Sequence, residues 1–163
     1  LLTPGIPVST GDKMGKMFSI GSLNVSQAKG TGKSPVDSVS VTLSGIETDA
    51  HSGDWHRQIS LLDSESIHEF ASQSGLAINP GDFGENITTE GIDLRLLVVG
   101  SIITGPGELC FEVTQVGKEC HGDNCAIYTE VGKCIMPARG VFCRVVTPGH
   151  LHTGDILHLL EKK

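Results

Sequence analysis

The chain alternates between short apolar runs rich in β-branched residues and breaks rich in Gly, Pro, Asn and Asp. The runs over residues 17–25, 36–43, 57–63, 94–103, 108–116, 141–147 and 155–160 are each of strand length. Two show the period of two that a half-buried strand requires. Val39, Val41 and Leu43 share one face of the second run, and Leu109, Phe111 and Val113 share one face of the fifth. Gly45, Gly53, Gly105-Pro106-Gly107, Pro148-Gly149 and Gly154-Asp155 stand in the gaps, where the chain needs positive φ or a fixed turn. The connections are short, which predicts antiparallel neighbours in an all-β barrel or sandwich.

One segment has a different period. Over 64–74, Ile67, Phe70 and Ala71 recur at helical spacing, Glu65 lies in the first turn and Gly75 follows as a stop. This predicts a helix, and a second short one is expected at 124–130. Residues 1–16 contain Pro4, Pro7 and several small polar residues without periodicity, and read as a flexible tail or linker. Residues 17–163 are left as one domain, a size at which a single core buries enough surface to fold.

Composition narrows the function. Glycine, at 21 of 163 residues, favours many tight turns over long helices. The net charge of −7, from 12 Lys+Arg against 19 Asp+Glu, offers no field for nucleic acid or an acidic membrane surface. No apolar run approaches the roughly 20 residues of a spanning helix, and 1–11 lack the features of a signal peptide, so a cytoplasmic protein is expected.

Five cysteines, an odd number with no export signal, are expected to be thiols. Cys110 and Cys143 lie inside apolar strands and read as packing residues. Cys120, Cys125, Cys134 and Cys143, with His121 and His150, lack the close pairing typical of structural zinc ligands. Cys120 differs because it follows a strand end in the polar loop Lys118-Glu119-Cys120-His121-Gly122-Asp123-Asn124, where access and cationic neighbours favour a thiolate. Glu119 acts the other way, and a plain surface cysteine is the competing reading.

Three further segments carry candidate chemistry. The stretch from Asp49 to Arg57 crowds His51, His56, Arg57, two carboxylates and the one tryptophan before a strand; histidine and arginine together suit a phosphate or oxyanion. A solvated polar turn would account for the same residues. In the turn Gly81-Asp82-Phe83-Gly84-Glu85-Asn86, consecutive backbone N–H groups can face an anion, or Phe83 can simply enter the core. Gly30-Thr31-Gly32-Lys33-Ser34 looks like a phosphate loop, but Gln27 occupies the required glycine position and Pro35 breaks the required helix; a hairpin tip is expected.

Taken in order, the Asp49 to Leu62 stretch, the Gly81 to Asn86 turn, the Glu112-Val113-Thr114-Gln115 strand leading to Cys120, and the closing Gly140-Val141-Phe142…Val145-Val146…Gly149…Gly154-Asp155 resemble the MOSC domain. This module ends the molybdenum cofactor sulfurases and also occurs as small stand-alone bacterial proteins. The resemblance implies an antiparallel β-barrel with one or two short helices, and a loop cysteine that ligates molybdenum of the pterin-based cofactor (molybdopterin) or carries sulfur for it. That residue is Cys120, and molybdenum accepts soft thiolate ligands. His51, His56, Arg57, Gly84, Glu85, Asn86 and Arg139 are carried over as candidates for holding the pterin and its phosphate.

Two functions follow from the resemblance. One is a cofactor-binding or sulfur-carrier module whose partners are cofactor biosynthesis or sulfur-donor proteins. The other is a molybdenum-dependent oxidoreductase of N-hydroxylated compounds, which would need separate redox partners because the cysteine spacings match no ferredoxin run.

Overall fold

The computed structural model describes residues 13–117 and 139–161. Its strands are β1 (Lys13–Val25), β2 (Ser34–Val36), β3 (Ser38–Thr42), β4 (Gly45–Ile46), β5 (Ile59–Asp63), β6 (Ile87–Glu90), β7 (Ile102–Thr104), β8 (Cys110–Val116), β9 (Val141–Thr147), β10 (Gly149–His152) and β11 (Ile156–Glu161). Among the described residues, one helix, α1 (Ser64–Ser74), and one 3-10 turn, Leu94–Leu96, interrupt them.

Strands β11, β7, β8, β9, β5, β6 and β1 pair in that order, and β1 returns to β11, closing a seven-stranded barrel with β2 hanging from β1. Closure is possible because β1 is long and bends. It pairs with β11 along its first half and with β6 and β2 along its second, with register breaks between Met14 and Met17 and between Ile20 and Ser22. A small sheet, β10-β3-β4, adds Val39, Val41, Ile46 and Leu151 to the core.

Inward residues alternate as the pleat demands. Ile59 and Leu61 of β5, Phe111 and Val113 of β8, and Val141, Cys143 and Val145 of β9 enter the barrel core, while Leu62 and Phe142 face outward and meet Ile67 and Phe83 in a second apolar cluster under α1. Cys110 and Cys143 are buried free thiols, and burial pushes both further from ionisation.

The helix forms over the expected residues. Asp63 caps it, accepting from Ser66 N at 2.9 Å and Ser66 Oγ at 2.7 Å, and Gly75 ends it with φ 73°. Because α1 and the turn after it carry the chain back along the barrel, β5 and β6 pair in parallel; every other pairing in the described residues is antiparallel.

Other expectations change at their edges. β1 begins at Lys13 rather than at residue 17. Residues 94–103 do not form one strand: Asp93 accepts from Arg95 N at 3.0 Å and caps the 3-10 turn, Val98 and Val99 are exposed, and pairing resumes only at Ile102. Leu43 leaves the face shared by Val39 and Val41 and is 59% exposed, since β3 stops at Thr42. Segment 26–33 is a hairpin connection, with Val25 opposite Ser34. The helix expected at 124–130 lies outside the described residues.

Candidate cofactor site

The Asp49 to Arg57 stretch joins the small sheet to β5, and its polar residues are anchored from below. Asp49 is buried, and its Oδ1 accepts from Lys33 Nζ at 2.8 Å and from Ser26 N at 3.0 Å; its Oδ2 accepts from His51 N at 2.9 Å. Burial pushes this carboxyl up, but His51 and the Lys33 ammonium reverse that and hold it well below the usual carboxylate range. Thr48, a β-branched residue at φ 76°, supplies the reversal that turns Asp49 inward.

Above this anchor, cations gather around Trp55. The indole N–H donates to His51 O at 2.7 Å and the two rings stack with centroids 6.0 Å apart. Lys29 Nζ lies 4.4 Å from the indole centroid and the Arg57 guanidinium 5.0 Å from it. Arg57 also stands 5.5 Å over Phe142, which shares its apolar cluster with Phe83 of the Gly81 to Asn86 turn. His56 is exposed, and its carbonyl accepts from Thr114 Oγ1 on β8.

The Gly81 to Asn86 turn serves the same corner from inside. Gly84, Glu85 and Asn86 are buried. Asn86 Nδ2 donates to Asn24 O at 3.1 Å and its Oδ1 accepts from Ser60 N at 3.1 Å, so this side chain fastens β1 to β5. Glu85 Oε2 accepts from Gly81 N at 2.9 Å and Thr88 Oγ1 at 2.7 Å, while Oε1 has no hydrogen-bond partner among the described residues; burial raises its carboxyl above the ordinary value. Gly81 has φ 90°, and a Cβ there would lie 2.3 Å from Lys33 O. That close approach lets Lys33 N donate to Gly81 O at 2.7 Å, linking the turn to the residue that holds Asp49.

Arg139 stands elsewhere. It donates from Nη1 to Ser66 Oγ at 3.2 Å and lines a groove of about 330 Å³ with Asp63, Glu65, Glu69, Asp93 and Arg95. Thus His51, His56 and Arg57 come together, Phe83 ties the Gly81 to Asn86 turn to them, and Arg139 faces carboxylates. Cys120 lies outside the described residues.

Sequence reasoning missed Lys33 and Lys29. Both belong to the hairpin read as a mere tip, and no local pattern marks a lysine whose partners are 16 and 18 positions away.

The MOSC domain model matches residues 48–158, most of the chain and all of this corner except Asn24, Ser26 and the hairpin lysines. The chain belongs to the MOSC family. Solved structures of similar fold include the YuaD protein from Bacillus subtilis, 22% identical, with a TM-score of 0.73 over 91% of this chain and 98% of that one. YiiM from Geobacillus stearothermophilus is 25% identical, with a TM-score of 0.70 over 90% of this chain and 76% of that one. YiiM from Escherichia coli is 21% identical, with a TM-score of 0.66 over 91% and 71% respectively. No curated protein matches the chain. Among the described residues of this MOSC domain, no helix is long and apolar enough to cross a membrane.

Proposed function

We propose that this MOSC domain binds the molybdenum cofactor, or carries sulfur destined for it, during cofactor maturation or delivery. One juxtaposition supports the reading. β8, the strand that precedes Cys120 in the sequence, is hydrogen-bonded through Thr114 to the His56 carbonyl, inside the segment that carries His51, Trp55 and Arg57, with Lys29 of the hairpin over the indole.

The donor set suits the group. A guanidinium, an ammonium and imidazoles match a phosphate, and the indole and Phe142 offer the flat apolar contact that a pterin ring needs. On this reading His51, His56 and Arg57 hold the phosphate and pterin, and Gly84, Glu85 and Asn86 act from beneath by fixing the turn that carries Phe83. Arg139, paired with Ser66 among carboxylates, contributes less. When bound, the cofactor supplies a molybdenum centre with affinity for thiolate, and Cys120 is the thiolate that ligates it or carries sulfur as a persulfide. The partners are then proteins that assemble the cofactor or donate sulfur.

The test is molybdenum and sulfane-sulfur analysis of wild type, Cys120→Ser and Arg57→Ala after incubation with released molybdenum cofactor. Wild type should retain molybdenum or sulfane sulfur, Cys120→Ser should lose it, and Arg57→Ala should retain less molybdenum. Equal contents in all three proteins would sink the proposal.

A further inference from the structure

Beneath His51 lies a buried ion pair that the proposed binding does not itself use. The side chains of Lys33 and Asp49 are both 0% exposed, and their N···O distance is 2.8 Å. Lys33 Nζ has three N–H donors and meets three acceptors: Asp49 Oδ1 at 2.8 Å, Ser26 Oγ at 3.0 Å and His51 Nδ1 at 3.0 Å.

The last contact determines where the imidazole proton resides. An ammonium can only donate, so Nδ1 must present its lone pair. A proton on Nδ1 would set donor against donor at 3.0 Å, and the alternative acceptor, Asp49 Oδ2, is 3.6 Å from Nδ1, beyond hydrogen-bonding reach. The proton of the neutral ring therefore sits on Nε2, which has no hydrogen-bond partner among the described residues in a side chain 24% exposed. The ring is further fixed by stacking on Trp55, and its own backbone N–H and carbonyl are held by Asp49 and Trp55.

We infer that Lys33 is the positioning residue of this site: its buried ammonium holds His51 Nδ1 as an acceptor, so that the ring offers Nε2–H to a phosphate oxygen. The role is distinct from direct charge attraction, which Lys29 and Arg57 supply from the surface. A histidine held this way adds a directional donor whose orientation is set before the ligand arrives, so its ordering cost is met in folding. The functional half of the inference rests on the proposed phosphate-binding reading; the tautomer half does not.

The experiment measures each half separately. Long-range ¹H–¹⁵N spectra of the ¹⁵N-labelled wild type, with His51 assigned by its disappearance in His51→Gln, read the protonation of each ring nitrogen. The expected result is a single tautomer with a bare, hydrogen-bonded Nδ1 and a protonated Nε2. In Lys33→Met/Asp49→Asn, which removes both buried charges together to spare the fold, the His51 signals should move toward those of a free, exchanging imidazole. A proton on Nδ1 in the wild type, or unchanged His51 signals in a folded double variant, would overturn the inference.

Titration with inorganic phosphate, followed by the fluorescence of the single tryptophan, Trp55, reads the functional half. The double variant should bind about fivefold more weakly, the value of one hydrogen bond. The locked tautomer without any phosphate response would leave Lys33 as the positioning residue and refute the phosphate reading instead. A locked tautomer with equal phosphate affinity in wild type and double variant would refute the positioning role.

Discussion

Arg57 and Arg139 show how context changes the meaning of one residue type. Arg57 lies over two aromatic rings in a corner that also gathers Lys29 and His51. Arg139 lies against Ser66 in a groove with Asp63, Glu65, Glu69 and Asp93, and the other arginine there, Arg95, is bound to Asp93 through Nε at 2.9 Å. A guanidinium over aromatic faces keeps its hydrogen-bonding edge available to an incoming anion, whereas one facing carboxylates has its field cancelled before any anion approaches. On the proposed reading the first corner receives negative charge, whereas the groove is organised around a helix cap.

The largest effect should come from under the first corner. Lys33→Met leaves Asp49 buried without its cation and should cost about 3–5 kcal/mol in urea unfolding, most of it restored when Asp49→Asn is added. The same pair sets a pH dependence. Asp49 is more acidic folded than unfolded, so its contribution is complete above the ordinary carboxylate value near ~4 and drains away as pH falls below it toward the folded value. Stability of the wild type should therefore drop through this acid range more steeply than that of the double variant; parallel curves would refute the pairing.

The two arginines should separate next. Arg57→Ala should weaken phosphate binding about tenfold, as expected for loss of a charge-assisted hydrogen bond, while Arg139→Ala should change it less than about twofold. Equal losses would erase the distinction between corner and groove. On the groove side, Asp63→Ala removes the helix cap and should cost about 1 kcal/mol in thermal or urea unfolding, with phosphate binding retained. The smallest expected change is a gain: Thr48→Gly relieves the left-handed backbone before Asp49 and, after the extra chain entropy that glycine loses on folding, should add roughly 0.5 kcal/mol of stability.

The barrel was legible where composition and periodicity agreed. Leu109, Phe111 and Val113 alternate into the core as their pattern predicts, and α1 occupies its expected residues because an acidic first turn, an apolar stripe and Gly75 all act locally. Residues 94–103 misled because β-branched content favours a strand only where a partner strand exists, and Asp93 instead nucleates a short turn. The parallel β5–β6 pair escaped because short connections were taken as universal, while α1 makes one long crossover.

For the site, residue types alone marked out His51, His56 and Arg57, since so many polar groups in one stretch demand partners. The family resemblance rested on that stretch together with the Gly81 to Asn86 turn, the Glu112 to Gln115 strand and the closing segment from Gly140 to Asp155, and the match to the MOSC domain bears it out. Which of those groups point outward, which arginine keeps its charge available, and that Lys33 reaches Asp49 and His51 across the hairpin all required the folded chain. Local propensities and turn chemistry act over a few residues and can be read along the chain. A buried charge can exist only beside its partner, and that partner is brought near by barrel closure and by the Gly81 turn, through contacts that no local stretch of sequence contains.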